Sequence, residues 1–241
     1  MQESFLSISA NDECLIYGVL NQVQPSNRLI IFVHGLTGEK ENHLYYNAAR
    51  FFPRNGCHSY RYDLFSNEVN GRKLVDCTLA TFSDDLNRVL SYFSNSYKQI
   101  HVVGHSIGGC VALNAKQSLI CSFVLWDTGL QNGSSDSGAF VFDEHTKLFI
   151  ADLKIRYFLS PKLIEERAQQ GGDVVKKIRR PVKLIFAGNT NIKDSWNDNI
   201  CHIKPYHEVL TIEGAGHGFN EFGKNDELFD ETLNWLKAFK H

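Results

Sequence analysis

Apolar and polar positions alternate along this chain in two periods. Residues 13–20 and 28–33 read as strands separated by a polar turn containing Pro25, which predicts an opening hairpin at a sheet edge. Residues 40–52 carry apolar side chains at helical spacing and stop at Pro53 and Gly56, and residues 57–63 alternate again as a strand. After a loop rich in Asn, Gly and Ser, residues 78–93 form an amphipathic helix whose apolar face is Leu79, Phe82, Leu86, Val89, Leu90 and Phe93. The strand 99–103 and the helix 107–119 follow, then strands 121–126, 181–187 and 206–212 and a closing helix 226–239. Strands that alternate with helices predict a mostly parallel sheet covered on both faces.

One segment breaks the rhythm. Residues 129–180 hold a flexible stretch at 131–139 and then helical segments containing Phe149, Leu153, Ile155, Tyr157 and Phe158. Material inserted after the carboxyl end of a strand in such a sheet lies over the edge where ligands bind, so a small cap is expected there. No internal repeat or low-complexity tract is present.

With 241 residues and 43% hydrophobic composition the chain is sized for one α/β domain. A formal charge of -2, spread along the sequence, leaves no basic footprint for nucleic acid and no polybasic membrane anchor. The first ten residues lack a basic start and an apolar run, which makes a cytosolic protein the expectation. Six scattered cysteines without a C-x-x-C pair read as mostly buried free thiols, and no metal or other cofactor is expected. Asn132-Gly133-Ser134 matches a glycosylation acceptor and reads as an ordinary loop tripeptide.

The candidate chemistry centres on Gly104-His105-Ser106-Ile107-Gly108, set between a strand and a helix. A serine at such a reversal is forced into strained backbone angles, its hydroxyl is pushed outward, and the flanking glycines avoid collision with the neighbouring strand and helix. A serine hydroxyl needs a base to take its proton. Of the ten histidines only His217 lies in a glycine-rich loop directly after the last strand, Gly214-Ala215-Gly216-His217-Gly218. A carboxylate must orient that imidazole. Asp194, in the loop after strand 181–187, is the first choice; Asp127, just past strand 121–126, is the competitor, and Asp198 is a weaker one. The glycines of His34-Gly35-Leu36-Thr37-Gly38 let the Leu36 amide join the Ile107 amide as an oxyanion hole, with His34 a structural hydrogen-bonding residue beneath the loop.

Taken in order, His34-Gly35, Gly104-x-Ser106-x-Gly108 and Gly216-His217-Gly218 resemble the α/β-hydrolase superfamily over nearly the whole chain. With the Tyr60-Arg61-Tyr62-Asp63 strand end and the helix beginning near Thr78, the pattern resembles its esterase, monoglyceride-lipase and feruloyl-esterase-like branch. The resemblance implies an α/β-hydrolase fold, a mostly parallel central sheet flanked by helices with a small inserted cap at about 129–180, and no cofactor. It also carries departures. Relatives bear Arg-Gly-His-Gly where this chain has Leu64-Phe65-Ser66-Asn67, and they place the acid where this chain has Asn191. A loop three residues longer gives the role to Asp194, and Asp194-Ser195-Trp196 then resembles the Asp-x-Trp variant of some acyl thioesterases.

The implied activity is hydrolysis of a small-molecule carboxylic ester through an acyl-enzyme, with thioester hydrolysis as the close alternative. A ligand-binding homologue without turnover and a peptidase are further readings. Phe140, Phe142, Phe149, Tyr157 and Phe158 in the expected cap point to an acyl or aryl group of moderate size.

Overall fold

A computed structural model of the chain describes residues 1–131, 140–153 and 155–239. Both the stretch 132–139 and the Asn132-Gly133-Ser134 tripeptide therefore lie outside the described residues.

The strands are β1 (Gln2–Ser9), β2 (Leu15–Gln22), β3 (Arg28–Val33), β4 (His58–Tyr62), β5 (Gln99–His105), β6 (Ser122–Trp126), β7 (Phe140–Asp143), β8 (Leu148–Leu153), β9 (Ile155–Leu159), β10 (Val182–Ala187) and β11 (His207–Ile212). The helices are α1 (His43–Arg54), α2 (Leu79–Phe93), α3 (Ile107–Asn114), α4 (Pro161–Ala168), α5 (Gly172–Val175) and α6 (Lys224–Ala238). Among the described residues the main sheet has the order β1-β2-β4-β3-β5-β6-β10-β11. β1 pairs antiparallel with β2 and β2 with β4, and every pairing from β4 to β11 is parallel. This is the α/β-hydrolase fold.

Side chains explain the order. Leu29, Ile31 and Val33 of β3 enter the core shared with α2 and α3, while Ile30 and Phe32 enter the core under α1 and α6. A strand apolar on both faces needs cover on both, which an interior position supplies. The opening hairpin is accordingly not the one expected: β2 turns back on β1, and β3 lies between β4 and β5. β1 tolerates the edge because its faces differ, with Ile8 buried and Phe5 76% exposed. Large buried side chains such as Phe52, Phe82 and Trp126 line the two cores, and each contributes about 1.5–3 kcal/mol.

Local signals set the helix ends. Asn42 caps α1 by accepting from the Leu44 amide, and Pro53 fits within the last turn. Thr78 and Thr81 form a reciprocal capping box at the start of α2. All six cysteines are free thiols, with Cys57, Cys77 and Cys110 buried.

The inserted segment differs from the helical expectation. Phe149 and Leu153 lie in β8 and Ile155, Tyr157 and Phe158 in β9, which join β7 in a small antiparallel sheet before α4 and α5 begin. Their β-branched and aromatic content favours a pleated surface, and Asp143 accepts from both the Thr146 amide and hydroxyl to close the β7–β8 turn. The insertion is fastened to the main body. Ser160 Oγ donates to the Cys77 carbonyl at 2.6 Å, the Ala80 amide to Glu166 at 3.0 Å, and Asn114 Nδ2 to Gln170 at 2.6 Å.

Gly104 sits where β5 passes α3. A Cβ there would meet the Gly108 carbonyl oxygen at 2.5 Å and the Gly109 backbone at 2.6 Å. Gly104→Ala should therefore lower unfolding free energy by about 1–3 kcal/mol in urea titration. An unchanged midpoint would mean that the strand and helix are free to separate.

Candidate active site

β5 and β6 are paired so that their last residues, His105 and Trp126, are partners. Ser106 and Asp127 follow at once, side by side at the carboxyl rim. The Ser106 amide donates to the Trp126 carbonyl at 3.0 Å and the Asp127 amide to the Ile185 carbonyl at 2.8 Å. Both residues have positive φ, 55° for Ser106 and 41° for Asp127. Such angles cost on the order of 1–3 kcal/mol each and persist only where surrounding structure imposes them. At Ser106 the cause is the immediate start of α3, and Gly108 is needed because a side chain there would overlap the Val33 carbonyl.

His217 comes from the loop after β11. Its Nδ1 lies 2.7 Å from Asp127 Oδ2. Asp127 is fully buried, and its carboxylate also accepts from the Ala187 amide at 3.0 Å and from Thr190 Oγ1 at 3.2 and 3.3 Å. A buried carboxylate needs such donors to offset lost hydration. The His217 side chain is 44% exposed and so is open to solvent or a ligand.

Asp194, the first choice from the sequence, is not the carboxylate that His217 touches. Asp194 is exposed in a single-turn 3-10 helix, Ile192–Trp196, where Asn197 Nδ2 donates to it at 3.4 Å. Asp198 is also exposed. The Asp194-Ser195-Trp196 segment has a packing task instead: the Trp196 indole donates to the Thr128 carbonyl at 2.6 Å, and Ser195 Oγ accepts from the Leu130 amide at 3.0 Å. These bonds brace the chain just after Asp127. Asp127 rather than Asp194 stands beside His217 because β6 is adjacent to β5 and β10 is one strand further away. Thr190 went unnoticed in the sequence, where a lone threonine in a polar loop carries no signal.

His34 is buried beneath its loop. Its Nδ1 donates to the Gly35 carbonyl at 2.7 Å, and its Nε2 accepts from the Leu64 amide at 2.9 Å. Lys40 ties the far end of this loop to Asp63 through its amide and its ammonium, both at 2.7 Å. The Leu36 amide has no backbone acceptor among the described residues. Ile107 opens α3, so its amide is one of the donors an α-helix cannot satisfy internally.

Leu36, Ser106, Ile107 and His217 line one cavity of about 290 Å³, with Phe140 and Leu153 contributed by the insertion. The Arg167 guanidinium, also on the wall, lies 5.1 Å from the centroid of the Phe140 ring. No helix among the described residues is long and apolar enough to cross a membrane.

A model of the alpha/beta hydrolase family matches residues 30–231, and the chain belongs to that family. No curated protein matches it significantly. Among solved structures it is similar to Est1E from Butyrivibrio proteoclasticus with ferulic acid bound, at 16% identity and a TM-score of 0.80, over 97% of this chain and 98% of that one. It is also similar to a dienelactone hydrolase from Anabaena variabilis, at 14% identity and a TM-score of 0.74, over 100% and 99% of the two chains. GrgF, an alpha/beta hydrolase from a Penicillium species, aligns at 14% identity and a TM-score of 0.82 over 99% of both. At these identities the likeness is one of fold.

Burial pushes His101 down to about 4 and His105 down to about 3, and lowers His34 as well. The unfolded chain then binds protons that the folded chain refuses. Stability contributed by these neutral imidazoles is complete above their ordinary value of 6.5 and is lost as pH falls toward the depressed values. Urea titrations stepped downward from neutral pH should show a decline approaching about 1.4 kcal/mol per pH unit for each such histidine. A level profile would mean that these rings accept protons in place.

Proposed function

We propose that this protein is a serine hydrolase that cleaves carboxylic esters with small to medium acyl or aryl groups. The observation that carries the reading is the strained Ser106 at the head of α3, sharing a cavity with a His217 held by buried Asp127.

In this reading Ser106 Oγ attacks the acyl carbon while His217 Nε2 takes its proton and later passes it to the departing alkoxide. Asp127 fixes the tautomer that carries hydrogen on Nδ1 and stabilises the imidazolium as it forms. The Leu36 and Ile107 amides hold the oxyanion, helped by the positive end of the α3 dipole. Water then enters by the same route: His217 deprotonates it, the acid leaves and Ser106 is restored. The cavity is near the lower end of the range for small-molecule sites, about 300–1,000 Å³, and Leu44, Ile107, Phe140 and Leu153 give it apolar walls suited to a modest acyl or aryl group. A feruloyl-sized aromatic acid is consistent with the likeness to Est1E in its ferulic acid complex.

A fluorophosphonate probe should label the native protein, and Ser106→Ala should abolish both labelling and turnover. Equal labelling of the two would return the protein to the ligand-binding reading. A parallel assay with short p-nitrophenyl esters and acyl-CoA thioesters distinguishes the two acyl substrates, with faster ester turnover expected.

The acid is tested by a pair. Asp127→Asn should lower kcat about 10³–10⁴-fold, whereas Asp194→Asn should leave it within about twofold, as for an ordinary surface change. The reverse ranking in steady-state assays would remove Asp127 from the mechanism.

A further inference from the structure

The serine motif contributes a second histidine. His105 is buried, and both ring nitrogens are engaged: Nδ1 lies 2.8 Å from Tyr45 Oη, and Nε2 lies 2.8 Å from the His217 carbonyl oxygen. Tyr45 Oη also accepts from the Gly35 amide at 3.0 Å.

The donors and acceptors allow one arrangement. A carbonyl only accepts, so His105 Nε2 carries hydrogen; the neutral ring then leaves Nδ1 as an acceptor, which the Tyr45 proton fills. Burial favours that state, since it pushes His105 far below its ordinary value and raises Tyr45, keeping the ring neutral and the phenol protonated. The two imidazoles are 4.7 Å apart at 37°, so a charge on His105 would also oppose one on His217.

We propose that Tyr45 and His105 are positioning residues, a hydrogen-bonded relay beneath Ser106 that couples the Gly35–Leu36 loop to the backbone carrying His217. The proposal rests on the serine-hydrolase reading. Oxyanion donors are effective because they are aimed before charge develops. Gly35 immediately precedes Leu36, so anchoring its amide restrains the peptide plane that follows. At the other end, His217 is held twice, its ring by Asp127 and its main chain by His105. Strand β5 carries the link between the two loops, and α1 supplies the phenol.

The test uses Tyr45→Phe, His105→Gln, His105→Leu and the Tyr45→Phe/His105→Leu pair in the full chain. Gln places a donor near the Nε2 position, whereas Leu removes both contacts. With a small p-nitrophenyl ester, Tyr45→Phe and His105→Leu should each lower kcat about 5- to 50-fold, as displaced catalytic groups do, with KM within about twofold. His105→Gln should recover part of the loss. The double variant should be no slower than the worse single, because the two side chains serve one relay. Multiplying losses, or variants that melt earlier yet turn over normally when folded, would overturn the proposal.

A second measurement does not need turnover. Imidazole nitrogen NMR of the native protein should find His105 as the Nε2–H tautomer and untitrated from about pH 8 to pH 5; an Nδ1–H tautomer, or titration near the ordinary histidine value, would overturn the relay. A native protein that neither hydrolyses esters nor reacts with the phosphonate would sink the hydrolase reading, while the tautomer would still decide the relay.

Discussion

The register of β5 against β6 is the constraint from which the site follows. His105 and Trp126 are paired, so the next residue on each strand, Ser106 and Asp127, emerges at the same height on the same rim. Parallel strands lie about 4.8 Å apart, which leaves a carboxylate beside the serine strand within reach of one imidazole between them. His217 then needs only a loop that crosses the rim. Both junction residues take positive φ, so the backbone is strained where the chain must turn away from the sheet at once.

That constraint is tolerable because the rest of the fold is ordinary. The apolar faces of β3 and β5 are covered by helices on each side, and the glycines of the serine motif let α3 approach the sheet closely. The rim is secured from several directions. His34 and Asp63 fasten the loop after β3, the Trp196 indole braces the chain beyond Asp127, and Thr190 gives its hydroxyl to the buried carboxylate. The loop after β10 thus reaches the site as a donor to the carboxylate.

Much of this was legible in the chain, and what was not has physical reasons. Strand β5, helix α3 and the loops bearing His34 and His217 were visible because apolar periodicity and glycines mark them locally. Strand neighbours are not a local property. β2 pairs with β1 and β4, and the carboxylate beside His217 follows β6, because sheet order decides which chain ends meet. Consecutive strands are often adjacent, a regularity that the preference for Asp194 over Asp127 did not use. The inserted segment was misread for a different reason. Spaced apolar residues such as Phe149, Leu153, Tyr157 and Phe158 satisfy helical and strand periods alike in a short stretch, and hydrogen bonding to neighbouring strands settled the matter. Tyr45 was hidden by its helix: it reads as one more apolar position of α1, although its hydroxyl reaches the serine motif.

The carboxylate's place on β6 has a consequence for change over time and for engineering. The turn around Lys193 and Asp194 is solvent-facing, so selection can recharge it provided Trp196 keeps its seat and Thr190 its bond to the carboxylate. That makes this outer bend a natural place to graft new surface chemistry while the reacting groups stay untouched.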